Sequence, residues 1–371
     1  MNNTETRLIL VDVSHIAFNF WSVQQQMTWN VSTDAINSMC DQWYKSTGDS
    51  SYLKLKYPVT AGSTVLEDTR IPSGITKNIW RWSNYGKNVV IPCFDRPCGS
   101  RKAFLQGAFQ VNYKEGRSHN YGIRKGLENA ERILRLGGVP VLAQDNYEAD
   151  DLISACVTAF YDKFDKIDVI TGDFDLLPLV DDKVSVFLRC RKDTYAEEAY
   201  LKKNKYVQIT PNSYGDIGFH WTKCSKVELP YNSILLQKML QGDESDAIPG
   251  IMKETSTGRL MRKYPDKKYN ELVSQMEADG VDFGSVFRYD TLPTFSKAKM
   301  EEVLSEYLTE EDVAHALGLW HAMDLNSAYS VEDVGINNGS LARGRFQVAG
   351  NPVTPGDGLI RVALQYGIHL G

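Results

Sequence analysis

The 371-residue sequence lacks the features that would place it in a membrane or in an oxidising compartment. No apolar run approaches the roughly 18 residues that a membrane-spanning helix requires. The first seven residues are polar, and no basic stretch followed by an apolar run and a cleavage site is present, so no secretion signal is predicted. The six cysteines are dispersed, unlike those of a disulfide framework. These absences predict a cytoplasmic protein that has no membrane partner.

Sequence motifs for common cofactors are missing as well. Neither G-x-G-x-x-G nor G-x-x-x-x-G-K-[S/T] occurs, which excludes the usual phosphate-binding loops for dinucleotides and nucleoside triphosphates. Cys93 and Cys98 form a C-x4-C pair, but no second pair completes a zinc site. The chain has only six histidines. Any metal centre is therefore expected to use oxygen ligands.

The net charge of −6 conceals a segregation of charge along the chain. Residues 101–137 carry a net charge of +5, residues 139–182 carry −9, and residues 252–270 carry +4. An acidic segment between two basic ones fits a cation-dependent centre that is flanked by phosphate-binding surfaces. On charge alone, ordinary solvated surface faces explain this pattern equally well.

Five short apolar runs predict strands that are buried on both faces, as in a parallel sheet. These runs are residues 8–11, 89–91, 139–142, 167–170 and 184–188. Helical periods lie between them, so the sequence predicts an α/β fold with a mostly parallel sheet and flanking helices. Three of the runs lead into Asp12, Asp95 and Asp173. Ligands of open α/β sheets bind at the carboxyl ends of the strands, where these aspartates would lie.

The pattern changes after about residue 230. Apolar spacing predicts helices at residues 233–240 and 256–264, and a further helix that Thr309 caps. We therefore divide the chain into an α/β core (1–230), a helical region (231–330) and an irregular tail (331–371). Residues 22–87 show no clear period and are left unassigned.

Nine acidic residues in five groups are the candidate metal ligands. They are Asp12, Asp95, Glu148, Asp150, Asp151, Asp173, Asp175, Asp243 and Asp246. Two carboxylates about 4 Å apart repel by roughly 4 kcal/mol at an effective dielectric constant near 20, so a cluster of them requires cations. Oxygen ligands favour Mg²⁺ or Mn²⁺, and two such ions about 4 Å apart suit displacement at phosphorus.

Two of the five acidic groups also have a structural explanation. Glu148 and Asp151 would stabilise the positive end of a helix dipole if they lie in its first turn. Asp173 and Asp175 would be turn formers at the end of a strand.

Seven short segments of the chain carry a combined signal that no single group carries. They are residues 10–12 (LVD), 94–95 (FD), 113–117 (YKEGR), 147–151 (YEADD), 171–176 (TGDFDL), 181–184 (DDKV) and 242–251 (GDESDAIPGI). In content and order they resemble the flap endonuclease and 5′–3′ exonuclease family, especially its bacterial and phage members. The resemblance spans residues 8 to about 325. It implies a PIN-like nuclease core and a C-terminal DNA-binding region of helix-hairpin-helix type.

The resemblance also implies roles for individual residues. The first metal site would use Asp12, Asp95, Glu148, Asp150 and Asp173. The second would use Asp175, Asp243 and Asp246, with Asp173 or Asp151 nearby. Lys114 matches the lysine that reaches the scissile phosphate, so that Lys114, Asp12, Asp95 and Asp173 form the catalytic set. The DNA-binding set is Arg101, Tyr113, Lys114, Arg117, Arg124, Lys125, Gly250, Lys253, Lys267 and Lys268.

The sequence departs from the family pattern in three places. Residues 252–255 (MKET) interrupt the stretch that would bind a monovalent cation, which argues against K⁺ binding. The interval from Asp12 to Asp95 is longer than usual, so residues 22–87 are interpreted as an insertion. Residues 101–137 are interpreted as a basic helical arch region, and the stretch from Lys114 to Glu148 is short for a large threading arch.

The leading hypothesis is a structure-selective 5′ nuclease that uses two Mg²⁺ ions, for which Mn²⁺ could substitute. Its partners would be DNA with a 5′ end, flap or nick, or an RNA–DNA hybrid, with a role in DNA replication or repair. We expect a monomer in the cytoplasm, which for a phage-encoded chain is the host's. The alternatives are an RNA-only ribonuclease of the wider PIN-like superfamily and a non-catalytic DNA-binding accessory protein.

Overall fold

The computed structural model describes most of the chain. The described residues are 6–23, 27–59, 62–83, 88–97, 106–107, 120–188, 207–210, 219–220, 228–229, 234–243, 246, 248–289, 292, 295–323, 347–348, 351–352 and 355–370. Within them, no helix is both long enough and apolar enough to cross a membrane.

A five-stranded sheet forms the centre of the N-terminal part. Its strands are β1 (Arg7–Asp12), β4 (Val89–Cys93), β5 (Lys166–Thr171), β6 (Val184–Leu188) and β7 (Val207–Ile209). They lie in the order β4-β1-β5-β6-β7, and all neighbours are parallel except β6 and β7. This confirms the mostly parallel α/β fold.

Four of the five predicted strands are formed, and the run at residues 139–142 is the exception. Residues 139–142 make a single bridge between Leu142 and Cys93. Pro140 interrupts this run, and proline has no amide hydrogen for a strand ladder.

Alternate residues of the central strand β1 enter two separate hydrophobic cores. Leu8 and Leu10 pack on one face of the sheet with helix α6 (Ala149–Phe160). Ile9 and Val11 pack on the other face, which is covered by α1 (Val13–Val23), α4 (Arg70–Ser83) and α5 (Tyr121–Leu136). Because successive strand side chains point to opposite faces, a wholly apolar run is what a sheet covered on both sides requires.

Within residues 22–87, which the sequence left unassigned, the described residues 22–23, 27–59 and 62–83 are folded. It contains α2 (Thr33–Thr47), the short α3 (Ser51–Lys54) and an antiparallel hairpin of β2 (Thr28–Ser32) and β3 (Thr64–Asp68). Helix α2 begins where the Ser32 hydroxyl accepts a hydrogen bond from the Ala35 amide. Sequence period missed these elements because β2, β3 and α3 are short and because α2 buries only Thr33, Ile36 and Cys40.

The C-terminal half of residues 101–137, predicted to be a basic arch region, is a helix with a buried face, and the arch itself stays a prediction. Helix α5 buries Ile123, Ala130 and Ile133 in the second core, so it is a core helix. Arg132 belongs to this interior as well, donating to the carbonyl of Leu55 over 2.6 Å. Except for 106–107, residues 101–119 lie outside the described part of the chain.

After a short antiparallel pair, β8 (Phe219–His220) and β9 (Glu228–Leu229), the helical region begins with α7 (Ile234–Gln241). A second small antiparallel pair follows, β10 (Gly242–Asp243) and β11 (Ile248–Pro249). Later helices are α8 (Asp266–Ala278), α9 (Phe283–Val286), α10 (Lys297–Tyr307) and α11 (Glu310–Met323). Their buried residues share the hydrophobic core of α6, so the region packs on one face of the sheet. The predicted cap of the last helix is present, with the Thr309 hydroxyl accepting from the Asp312 amide.

The helix predicted at residues 256–264 is wrong. A β-hairpin stands there instead, formed by β12 (Met252–Glu254) and β13 (Leu260–Arg262). The turn between them is closed by a hydrogen bond from the Thr255 amide to the Arg259 carbonyl, 2.8 Å long. Gly258 has φ +77°, a left-handed conformation that would end a helix.

The segment expected to be an irregular tail contains a helix, α12 (Pro355–Gln365). Leu359, Val362, Ala363 and Tyr366 are buried, and α12 packs against α5 and α2. These positions follow a helical period that the glycines and prolines of residues 335–358 obscured in the sequence. The buried Tyr366 hydroxyl lies 3.1 Å from that of Tyr57, joining the end of the chain to α5 and residues 22–87.

We expect Leu359→Ala to lower the free energy of unfolding by about 2–4 kcal/mol, because it leaves a cavity in the second core. The matched control is Ile360→Ala, since Ile360 is 38% exposed and Leu359 is 1% exposed. The control should cost less than about 1 kcal/mol. Denaturant unfolding of both variants tests this, and equal effects would mean that α12 does not pack on the core.

Candidate metal centre

Four carboxylates lie where three neighbouring strands end. Asp12 is the last residue of β1, Asp95 lies two residues beyond β4, and Asp173 and Asp175 follow β5. Because β4, β1 and β5 are adjacent and parallel, these residues meet at one edge of the sheet. Asp150 joins them from the first turn of α6.

Asp12 is held in place by two donors. Its Oδ1 accepts from the His15 amide at 3.2 Å, and its Oδ2 accepts from the Thr171 hydroxyl at 3.0 Å. The Asp12 side chain is buried, and this burial raises its pKa to about 7, with a further contribution from the charge of Asp95. The hydrogen bonds oppose the rise but do not overcome it.

The other carboxylates are fixed by backbone amides. Asp95 Oδ1 accepts from the Ala149 amide at 2.7 Å, which ties the end of β4 to the start of α6. Asp173 Oδ1 accepts from the Asp175 amide at 3.0 Å. Both hydrogen bonds set the direction of a carboxylate with respect to the sheet edge.

Mutual repulsion marks these carboxylates as one electrostatic group. Burial raises the pKa of Asp150 well above its usual value, and the charges of Asp173, Asp12, Asp95 and Asp175 raise it further. Burial raises the pKa of Asp173 in the same way, followed by the charge of Asp175. A divalent cation would relieve this repulsion, so the donor set fits a metal with oxygen ligands.

Glu148 and Asp151 form a reciprocal cap at the start of α6. The Glu148 amide donates to Asp151 Oδ2 at 2.9 Å, and the Glu148 side chain accepts from the Asp151 amide. Both side chains are buried. Asp151 thus makes a helix-capping contact. Its neighbour Asp150 instead interacts with the acids at the sheet edge.

A second group of acids joins the core to the helical region. Asp175, Asp243 and Asp246 each offer a carboxylate oxygen, and these oxygens all lie within 4.8 Å of one another, an arrangement that could hold a metal ion. Asp243 is positioned by the pairing of β10 with β11, directly after α7.

Lys238 on α7 is a site residue that sequence reasoning missed. Its ammonium donates to Asp175 Oδ1 and to Asp243 Oδ2. In sequence, a lysine five residues before Asp243 cannot be told from a lysine on the surface of a helix. Its proximity to Asp175 depends on the packing of α7 against the segment after β5.

The predicted DNA-binding residues of the first basic stretch are only partly described. Arg101, Tyr113, Lys114 and Arg117 lie outside the described residues. Arg124 and Lys125 lie on α5.

Those two residues are already paired. The Arg124 side chain is 78% exposed and lies 3.2 Å from Glu128. The Lys125 ammonium lies 3.3 Å from Glu67.

The predicted DNA-binding residues of the second basic stretch lie on or next to the hairpin of β12 and β13. Lys253 is exposed on β12, and Lys267 is 90% exposed on α8. The Lys268 ammonium lies over the Tyr264 ring, 4.3 Å from its centroid. Gly250 lies so close to the backbone of Gln241 that a Cβ atom would come within 2.3 Å of it, which gives this glycine a packing role.

A family model describes part of this chain. Residues 51–206 match the "5'-3' exonuclease, N-terminal resolvase-like domain". This part of the chain is therefore similar to the N-terminal domain of 5′–3′ exonucleases.

Curated relatives agree with this family. The 5'-3' exonuclease of Bacillus subtilis (strain 168) is 33% identical over 180 residues, covering 47% of this chain and 52% of the relative. That of Aquifex aeolicus is 25% identical over 185 residues, 49% of this chain and 55% of the relative. The DNA polymerase I of Caldicellulosiruptor bescii is 33% identical over 192 residues, 48% of this chain and 20% of the polymerase. The chain thus matches about half the length of these exonucleases and a fifth of the polymerase.

The solved structures to which the chain is similar include two nucleases. A T5 5'-exonuclease with bound zinc is 13% identical, covers 97% of this chain and 99% of its own, and has a TM-score of 0.44. The catalytic core of Rad2 in complex with a DNA substrate is 12% identical, covers 98% of this chain and 88% of its own, and has a TM-score of 0.41.

The raised pKa of Asp12 predicts a pH dependence of stability. In metal-free protein the folded state holds a proton that the unfolded chain releases above about pH 4. The stabilisation is therefore complete below about pH 4 and is lost as the pH rises through about 7. We expect the Tm in chelator to fall between about pH 5 and pH 8.

One substitution and one added ion should each reduce this fall in Tm. Asp12→Asn removes the titrating group, and millimolar Mg²⁺ stabilises the ionised carboxylates. Thermal unfolding across a pH series, with and without Mg²⁺, measures both effects. A Tm in chelator that rises over this range would contradict the convergence of the acids.

Proposed function

We propose that this chain is a structure-selective 5′ nuclease that hydrolyses phosphodiester bonds near the 5′ ends of DNA. The observation that carries the proposal is the meeting of Asp12, Asp95, Asp150 and Asp173 at one sheet edge. The second acidic group, with Asp175 and Asp243, lies beside them. The family of the N-terminal domain supports the same activity.

Two divalent ions would be held by these residues. One would lie among Asp12, Asp95, Asp150 and Asp173, with Glu148 at its edge, and the other among Asp175, Asp243 and Asp246. When bound, Mg²⁺ supplies an activated water and stabilises the leaving oxygen. The protein supplies orientation, since the Thr171 hydroxyl and the Ala149 amide fix the carboxylates before substrate arrives.

DNA would be bound by the helical region on one side of this centre. The hairpin of β12 and β13 and the start of α8 carry exposed cations, Lys253, Lys267 and Lys268, close in sequence to Asp243. Phosphate contacts of this kind give affinity without sequence preference. The helix-hairpin-helix assignment, the lack of a K⁺ site and a role in replication or repair belong to this proposal, as does a cytoplasmic monomer.

The proposal is tested with labelled substrates. A 5′ flap, a nicked duplex, an RNA–DNA hybrid and a single-stranded RNA would be incubated with protein and Mg²⁺, and the product lengths resolved. We expect cleavage of DNA near the 5′ end. Cleavage of RNA alone would favour the RNA-only ribonuclease, and DNA binding without cleavage would favour the accessory protein.

Asp173→Ala is expected to abolish cleavage while DNA affinity stays within a few-fold of wild type. Loss of a shared metal ligand acts on the transition state, whereas affinity comes mainly from phosphate contacts. Single-turnover cleavage and binding in Ca²⁺ would be compared. A rate above about a tenth of wild type in saturating Mg²⁺ would refute the role of Asp173.

Lys114→Ala should lower the cleavage rate far more than it weakens binding, because a lysine at the scissile phosphate acts where negative charge develops. Replacing Lys267 and Lys268 together by Ala should do the reverse. Affinity for duplex should fall, and its salt dependence should flatten by up to about two units of log-log slope. Rates at saturating DNA and binding across a salt series separate these effects. Equal small changes in both variants would contradict this division of roles.

A further inference from the structure

The Lys238 ammonium lies in the candidate second metal site. Its side chain is 11% exposed, and it donates to one oxygen of Asp175 and one of Asp243. These are two of the three carboxylates whose oxygens lie within 4.8 Å of one another. A cation of the protein itself therefore occupies the position between two ligands where a divalent ion would bind.

An ammonium and a divalent ion cannot share this position. The two positive charges would repel at contact distance, and Asp175 and Asp243, with which Lys238 pairs, are two of the three carboxylates that would hold the metal. Metal binding at the triad must therefore break at least one of the two ion pairs of Lys238.

The carboxylates have other anchors that remain when Lys238 moves. The Tyr289 hydroxyl donates to the main-chain carbonyl of Asp175 at 2.8 Å. Arg288 donates to the carbonyl of Val180 at 2.6 Å, at the end of the same short helical segment. Asp243 is held by its pairing with Ile248. Displacement of the lysine thus leaves the ligands in place for the metal.

We infer that Lys238 is an internal counter-ion of the second metal site, a positioning residue that joins Asp175 to Asp243 in metal-free protein and is displaced when a divalent ion binds. This inference rests on the proposed metal centre. It implies that Lys238 stabilises the metal-free fold and competes with the metal. Two measurable effects of its removal should therefore have opposite signs.

The test compares Lys238→Met with Lys263→Met. Lys263 is a suitable control because its ammonium also pairs with a buried carboxylate, that of Asp312 at 2.7 Å, but outside the acidic groups. Both changes remove one positive charge from a partly buried ion pair. The Tm in chelator and in a Mg²⁺ series, and Mn²⁺ binding by calorimetry, would be measured for each without DNA.

We expect Lys238→Met to lower the Tm in chelator and to bind the second Mn²⁺ on the order of tenfold more tightly than wild type. Its stabilisation by Mg²⁺ should be larger than that of wild type. Lys263→Met should lower the Tm equally with and without Mg²⁺ and leave Mn²⁺ affinity unchanged.

Unchanged or weaker binding of Mn²⁺ by Lys238→Met would overturn the inference. If this variant does not fold in chelator, Mg²⁺ must restore its fold, and failure in both conditions would also count against the inference. Lys238→Gln, which keeps a polar end, should show the same changes to a smaller degree. If wild type itself binds no Mn²⁺ and cleaves no DNA, the proposed metal centre has failed; if wild type does both and only the variants disagree, only the role of Lys238 has failed.

Discussion

Repulsion between carboxylates at the carboxyl edge of the sheet is the interaction on which this structure depends. Asp12, Asp150 and Asp173 all have raised pKa values because they are buried close to one another and to Asp95 and Asp175. Such an arrangement costs stability in metal-free protein. Two hydrophobic cores, one on each face of the sheet, supply the packing that keeps these groups together.

The acids come from parts of the chain far apart in sequence, and tertiary contacts bring them into register. Parallel pairing of β4, β1 and β5 aligns Asp95, Asp12 and Asp173. The second group requires the helical region to dock, because Asp243 follows α7 while Asp175 follows β5. Tyr289, through the main-chain carbonyl of Asp175, is one of the contacts that fix this docking.

The sequence was sufficient for features that depend on local pattern. Buried runs ending in aspartate predicted the sheet and the edge at which the acids meet. The hairpin at residues 252–262 and helix α12 could not be predicted, since their apolar positions are few and interrupted by glycine or proline. Lys238 was missed because its partner Asp175 is distant in sequence. For Asp151, the sequence could not distinguish a helix cap from a metal ligand, because an aspartate can serve as either.

The central claim, that these carboxylates bind two divalent ions, is tested most directly by a crystal grown with Mn²⁺ and no DNA. The account predicts two anomalous peaks about 4 Å apart. One would lie among Asp12, Asp95, Asp150 and Asp173, and the other among Asp175, Asp243 and Asp246. The account would be contradicted if these carboxylates were well ordered and neither peak appeared. It would also be contradicted if Mn²⁺ bound only to acidic residues elsewhere on the surface.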